Sequence, residues 1–186
     1  MNIRSYAKPL GARPQSALSL LVSAQRLAAQ AHRGQRRADG QDYIEHPIEV
    51  VHTLVEAELY DPVQLAAAYL HDAIEKGEPW IRDAIVADVG QDVAQLVEAL
   101  TDDQTLPAEE RRSQQLDRAA GLPLVAKQIK LADRLVNVRE ARPDWSLEKR
   151  KCYAVHSYAL LAVLRGSHAA LEARLRERLS QPQWTL

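Results

Sequence analysis

The sequence predicts an all-α fold, a single bundle of eight to nine helices, on three observations. Phe is absent while Ala, Leu, Arg and Gln are plentiful, a composition that favours helix. No window carries the Val, Ile, Thr and aromatic alternation of a strand. Apolar residues instead recur at helical spacing, and Gly, Pro and capping residues punctuate them. With 186 residues the chain is long enough for one domain to bury most of its apolar surface.

The elements follow in order. Leu20, Leu21, Ala24, Leu27, Ala28 and Ala31 share one face, with Ser16 as N-cap, which predicts a helix over 17 to about 33. HRGQRRADGQDY, residues 32–43, reads as a basic loop leading to Pro47, the expected first position of a helix over 47–58. Asp61 and Pro62 are a cap and first position for a third helix, 62–76, which stops at Gly77. Helices over 79–89 and 91–101 are separated by Gly90. TDDQTLPAEERR has loop chemistry, followed by a charged, exposed helix over 107–119. Pro123 opens a helix whose apolar face is Val125, Ile129, Ala132, Leu135 and Val136, ending before Pro143. Helices over 146–165 and 168–180 complete the bundle, with residues 1–15 as a lead-in and 16–186 as one domain.

Composition excludes several function classes. A net charge of −1 and a pI near 6.6 offer no positive field for long nucleic acid, so an anionic ligand must be met locally. One cysteine, Cys152, leaves neither a disulfide framework nor a thiolate metal site and points to a reducing, cytoplasmic setting. The longest apolar runs, LAAAYL and YALLAVL, are too short to span a bilayer, and the N-terminal segment does not read as a targeting signal. No heptad seam fixes an oligomeric state.

The chemistry gathers where ionisable residues interrupt apolar runs. His71 and Asp72 stand side by side in AAAYLHDAI, and buried charges need partners or a metal. His46, before a helix start, and Asp133, in IKLADRLVNV, are similarly set. Two readings fit. The four side chains are structural hydrogen-bonding groups, with Asp133 paired to a nearby Arg, or they form an N₂O₂ set suited to Mn²⁺ or Fe²⁺. Glu75 shares the helical face of His71 and Asp72, Asn137 lies one turn after Asp133, and Lys130 lies three residues before it.

HRGQRRADGQDYIEHPIEV, AAAYLHDAIE, LVEALTDDQTLP and IKLADRLVNVRE, in this order, resemble the successive motifs of the HD-type hydrolase domain of RelA/SpoT proteins, above all its free-standing form, the small alarmone hydrolases. The resemblance covers residues 20 to about 175 and implies an HD-domain helical bundle. It makes His46 of the YxxHP motif, His71, Asp72 and Asp133 the ligands of Mn²⁺, and leaves His32 outside the set. It implies a small-molecule substrate, a guanosine nucleotide bearing a 3′-pyrophosphate, released as pyrophosphate with GDP or GTP. Arg37 matches the residue that stacks on the base, Asn137 one near sugar and phosphates, and Tyr153 one lining the pocket. Glu75 would orient or deprotonate water, and Arg33, Arg36, Arg37 and Lys130 would supply local positive charge.

Two departures bear on activity. Where the family commonly has HDxxED, this chain has HDAIEK, so Lys76 replaces a carboxylate thought to assist catalysis, and can pair with Asp72 or reach a phosphate. Arg37 is followed by Ala38 where many relatives have Lys, which relaxes selection for guanine and admits ppApp beside ppGpp. The alternatives are another nucleotide phosphate, such as the 2′-phosphate of NADPH, or a catalytically silent nucleotide-binding regulator. The remaining assignments are packing roles for Cys152, Trp80, Trp145 and Trp184, structural or exposed roles for His52, His156 and His168, and a solvated loop for Asp102 and Asp103.

Overall fold

A computed structural model describes residues 16–139 and 145–184; the expected lead-in over residues 1–15 lies outside them. The architecture is all-α, and each expected helix is present among the described residues, in ten segments because the third is broken in two. They are α1 (Ala17–Ala31), α2 (Glu45–Glu56), α3 (Pro62–Leu70), α4 (Ala73–Lys76), α5 (Ile81–Asp88), α6 (Gln91–Leu100), α7 (Ala108–Ala119), α8 (Leu124–Asn137), α9 (Leu147–Val163) and α10 (Ala169–Leu179).

Two helices organise the bundle. α3 packs against α1, α2 and α6, and its fully buried Ala66, Ala67 and Ala68 let the neighbouring backbones come close. α8 packs against α2 and α10 through Ile129, Ala132, Leu135 and Val136. The anchored starts follow the capping chemistry: the Ser16 hydroxyl accepts from Ser19 N–H at 3.1 Å and the Asp61 carboxylate from Gln64 N–H at 2.8 Å, with Pro62 next.

Three expectations change. The helix expected over 62–76 breaks at His71 and Asp72, leaving α4 a single turn before Gly77. A β-carbon on Gly77 would sit 2.4 Å from the Ala73 carbonyl and 3.4 Å from Ala31 Cβ, so only glycine lets this turn close against α1. α2 begins at Glu45, two residues before Pro47; proline is tolerated throughout a first turn, whose N–H groups lack intrahelical partners. Finally, Trp80 is 49% exposed, because Ile81 takes the inward position at that turn, and Cys152 is exposed on the outer side of α9. Neither is a packing anchor, whereas Trp184 is buried, with Tyr153 against it at 5.9 Å and Trp145 at 6.4 Å.

Candidate metal centre and its surroundings

His46, His71 and Asp133 converge from α2, the α3–α4 break and α8. Burial of His46 in the first turn of α2 and of His71 at the end of α3 follows from the apolar faces on which they ride. One ligand atom from each of the three lies within 4.8 Å of the others. Asp133 Oδ1 is 3.1 Å from His46 Nε2 and 3.7 Å from His71 Nε2. Asp72 Oδ2 completes the ring, 3.7 Å from His46 Nε2 and 3.6 Å from His71 Nε2.

The donor atoms fit a divalent ion. The His71 Nδ1–H donates to the Ala68 carbonyl at 2.7 Å, which turns Nε2 toward the carboxylates, where it is buried with no hydrogen-bond partner. Such an orphaned imidazole nitrogen facing two carboxylates is what a metal-ligating histidine presents, its other nitrogen held by a carbonyl. Spacings of 3.1–3.7 Å match adjacent ligands around an ion with bonds of about 2.1 Å.

Charge accounting agrees. Burial alone would lower the His71 pKa, but Asp72 and Asp133 outweigh it and raise it to about 9. Burial would raise both aspartates, yet His71, Lys76 and His46 hold Asp72 below the usual carboxylate range, and His46 and His71, facing Asp133 at 3.1 and 3.7 Å, hold it there too. Without an ion the cluster thus keeps protonated imidazolium beside carboxylate, and uptake of an ion must expel a proton.

The HDAIEK departure acquires a location. Lys76 Nζ lies 2.9 Å from Asp72 Oδ2, 3.9 Å from Glu75 Oε2 and 5.2 Å from the centre of the Tyr43 ring. It is a partly exposed cation at the rim, bonded to the carboxylate oxygen that faces both histidines. The Tyr43 hydroxyl donates to this same oxygen. Burial and the Asp72 charge raise the Tyr43 pKa, so the phenol remains a donor.

Glu75 faces the loop after α6. Its Oε1 accepts the Asp102 backbone N–H at 2.5 Å and its Oε2 the Gln104 amide at 3.0 Å. Burial raises its pKa, the Asp102 N–H opposes that, and the Asp72 charge adds to it. Asp102 is accordingly not a solvated loop residue: its Oδ2 accepts from Gln115 at 2.6 Å, because a carboxylate taken below the surface needs donors. Asp103 is exposed and caps the turn at Thr105.

The substrate-side residues divide. Asn137 donates to Asp133 Oδ1 at 2.7 Å, beside the cluster. Arg37 lies 3.8 Å from Glu49 Oε2, its side chain mostly covered, and Arg36 pairs with Asp42 at 3.0 Å in solvent. Arg33 is exposed past the end of α1. Lys130 is buried and turns to the end of α6, 3.5 Å from the Leu100 carbonyl and 3.9 Å from Asp102 Oδ1. Tyr153 packs edge-on against Trp145 at 4.9 Å, with the Arg134 guanidinium 4.7 Å from its ring centre. His32 is buried, hydrogen-bonded to Gln35 at 3.0 Å and stacked 4.8 Å from Tyr43, outside the ligand set. His156 is buried against the Arg112 carbonyl, His52 is exposed, and His168 caps α10.

Sequence reasoning gave Tyr43, Gln115 and Arg134 no role in the site and took Asp102 for a solvated loop residue. Tyr43 stood in the YxxHP motif and could have been found there, since a phenol three residues before a ligand histidine is a natural donor to its carboxylate neighbour. The other three are joined only by tertiary contacts. A cavity of about 490 Å³ on the outer wall of α2, α8 and α10 holds none of the cluster residues, and its Arg139 and Arg174 are paired with Glu49 and Glu56.

A helical bundle carrying buried His and partly buried Asp side chains around one metal-sized focus, the His-Asp pair adjacent in sequence, defines a class of divalent-metal proteins. The chain belongs to the HD domain family, whose match covers residues 24–168. It is 38% identical over 173 residues to the human protein named guanosine-3′,5′-bis(diphosphate) 3′-pyrophosphohydrolase MESH1, covering 89% of this chain and 96% of that one. Proteins of the same name from Drosophila melanogaster, 40% identical over 161 residues (83% of this chain, 89% of that one), and Danio rerio, 36% over 169 (87% and 93%), are similarly related. A solved structure described as a metazoan ortholog of SpoT that hydrolyzes ppGpp superposes with a TM-score of 0.83 at 34% identity, covering 94% of this chain and 99% of that one. No helix among the described residues is long and apolar enough to cross a membrane.

Proposed function

We propose that this protein is a Mn²⁺-dependent hydrolase that removes the 3′-pyrophosphate from an alarmone nucleotide, (p)ppGpp or (p)ppApp, as one domain over residues 16–186 in the cytoplasm. The observation that carries the reading is the convergence of His46, His71 and Asp133, with Asp72 beside them, in relatives' company that is named for this reaction. His46, His71, Asp72 and Asp133 hold the ion. When bound, it supplies Lewis acidity and positive charge at the phosphoryl group.

The protein's own groups do the rest. Water adds to the phosphorus attached to the 3′-oxygen, the bond from that phosphorus to the 3′-oxygen breaks, and pyrophosphate leaves. Glu75, whose raised pKa suits a base, takes the proton from the attacking water, and the departing 3′-oxygen takes one from solvent, to which Glu75 later returns its own. Lys76, the only cation within 4 Å of both Glu75 and Asp72 among the described residues, meets the phosphate charge at the rim. Arg37 stacks on the purine, Arg33 and Lys130 contribute positive charge, and Asn137 and Tyr153 line the sugar and phosphate side. Stacking by arginine does not distinguish purines, so guanine and adenine forms both remain substrates of this reading.

A second reading draws on one contact. With Lys76 bonded to Asp72 Oδ2 at 2.9 Å, the pocket binds nucleotide as a regulator and turns it over slowly or not at all. Pyrophosphate release from ppGpp and ppApp, measured with Mn²⁺ and then with chelator, separates the two. Metal-dependent release that disappears in Asp72→Asn is expected. Tight nucleotide binding with Mn²⁺ and no product would move the assignment to the regulator, and release of orthophosphate from NADPH, with neither alarmone cleaved, to a different phosphate ester.

A further inference from the structure

Glu75 stands on the single turn of α4, which by itself does little to hold a long side chain in one rotamer. Both of its oxygens are instead held by the loop after α6, through Asp102 N–H and the Gln104 amide. That loop is held in turn from α7. Gln115 Nε2 donates to Asp102 Oδ2 at 2.6 Å, and Arg111 donates to Gln104 Oε1 at 2.9 Å.

The direction of the Gln115 amide is set by chemistry. Its Oε1 accepts from Arg134 Nη2 at 3.3 Å, and a guanidinium can only donate, so the amide oxygen must face Arg134 and the NH₂ must face Asp102. Arg134 is 6% exposed and is itself fixed, donating to Ser157 Oγ at 3.3 Å and lying over the Tyr153 ring. It follows Asp133 directly in α8. The relay thus runs from the helix that carries one ligand, through Arg134, Gln115 and Asp102, to the carboxylate of Glu75.

We infer that Gln115 is a positioning residue that holds Glu75 in its working orientation through Asp102. The inference rests on the reading of Glu75 as the base of the reaction. Replacing Gln115 with Leu keeps the size of the side chain and removes both bonds of its amide. It leaves the Asp102 side chain with only the more distant Lys130, 3.9 Å away, and so loosens the main-chain N–H that Glu75 accepts, while leaving the proposed metal ligands untouched.

The test has two arms. In turnover of ppGpp with Mn²⁺, Gln115→Leu lowers kcat about tenfold with KM within about twofold and Mn²⁺ affinity unchanged. In a Glu75→Gln background the same substitution has no further effect, because Gln115 acts only through that carboxylate. Asp102→Asn, which keeps an oxygen for the Gln115 amide, retains most of kcat, whereas Asp102→Leu loses it. In the metal-free protein, hydrogen exchange at the Asp102 amide accelerates about tenfold in both Glu75→Leu and Gln115→Leu, with the melting transition still cooperative. An additive loss in the Glu75→Gln background, or unchanged exchange at Asp102 in Gln115→Leu, overturns the relay. Should the wild type release no pyrophosphate, the proposed reaction fails and the exchange arm decides the relay alone.

Discussion

The ligand wall and the Glu75 clamp meet in one site but are built from opposite materials. His46, His71 and Asp133 ride on helices anchored by fully buried side chains, among them Val50 and Leu54 of α2, Leu70 of α3 and Ile129 and Leu131 of α8. The clamp hangs from α7, where Ala119 is the one buried residue and Arg111, Gln115 and Arg118 make the attachments by hydrogen bonds. Apolar burial contributes about 25 cal/mol per Å², whereas a partly wet hydrogen bond nets about 1 kcal/mol. The His46, His71 and Asp133 cluster is therefore set by the core, and the Glu75 carboxylate by a segment that opens at lower cost.

The largest expected effect tests the claim that the core, and not the cluster, holds the ligand helices. Asp133→Asn removes a carboxylate from the ligand set and lowers metal-dependent turnover on the order of a thousandfold, through metal binding. The metal-free variant should nonetheless fold, since α8 keeps its apolar contacts with α2 and α10. A metal-free variant that fails to unfold cooperatively would break the comparison. Calorimetry sharpens it: with the His71 pKa raised to about 9, uptake of an ion near pH 7.5 should release about one proton, read as heat that varies with the buffer's ionisation enthalpy. The raised pKa also stabilises the metal-free fold below the unfolded value near 6.5, and that contribution fades as pH rises through about 9.

The same division explains what the sequence disclosed. The helices of the bundle were legible from spacing and caps, since apolar periodicity is the force that buries them. The residues that converge were legible because a charge inside an apolar run, as at His71 and Asp133, is anomalous locally. The break after Leu70 was not, because nothing in LAAAYLHDAIEK stops a helix before Gly77; the tertiary bond from Tyr43 to Asp72 meets the chain at that turn. Nor was the clamp. Gln115 and Asp102 look like surface residues of a charged stretch, and only α8 arriving beside them makes them a relay. Lys76 can pair with Asp72 at four residues' spacing or reach a phosphate, and of these the pair forms, at 2.9 Å.

The next effect lies where α7 meets the core. Burial, with Arg134 adding to it, lowers the His156 pKa from 6.5 to about 4, while its bond to the Arg112 carbonyl opposes the shift. The unfolded chain then binds a proton that the folded chain refuses between those two pH values. This stability is present above pH 6.5 and is lost as pH falls toward 4, on the order of 3 kcal/mol in all. His156→Gln can still donate to the carbonyl but does not titrate. Urea unfolding from pH 7 to pH 4 should show a shallower fall for the variant, and equal slopes would remove His156 from the account.

The smallest effect isolates the attachment of α7. Arg118 donates to the Thr101 carbonyl at 3.0 Å and the Ala99 carbonyl at 3.1 Å, tying the last turn of α7 back to the end of α6. Because the residue is exposed, water replaces much of what Arg118→Ala removes, and the global loss should be about 1 kcal/mol. That is a fall of about 2–4 °C in Tm for a domain of this size. The local consequence is larger in kind. Exchange in α7 and in the loop over 101–106 should quicken while α2, α3 and α8 keep their protection, since no apolar contact of the ligand wall runs through Arg118. Equal acceleration in α8 would mean that the clamp and the wall open as one unit, and the Glu75 carboxylate would then be as firmly set as the His46, His71 and Asp133 cluster.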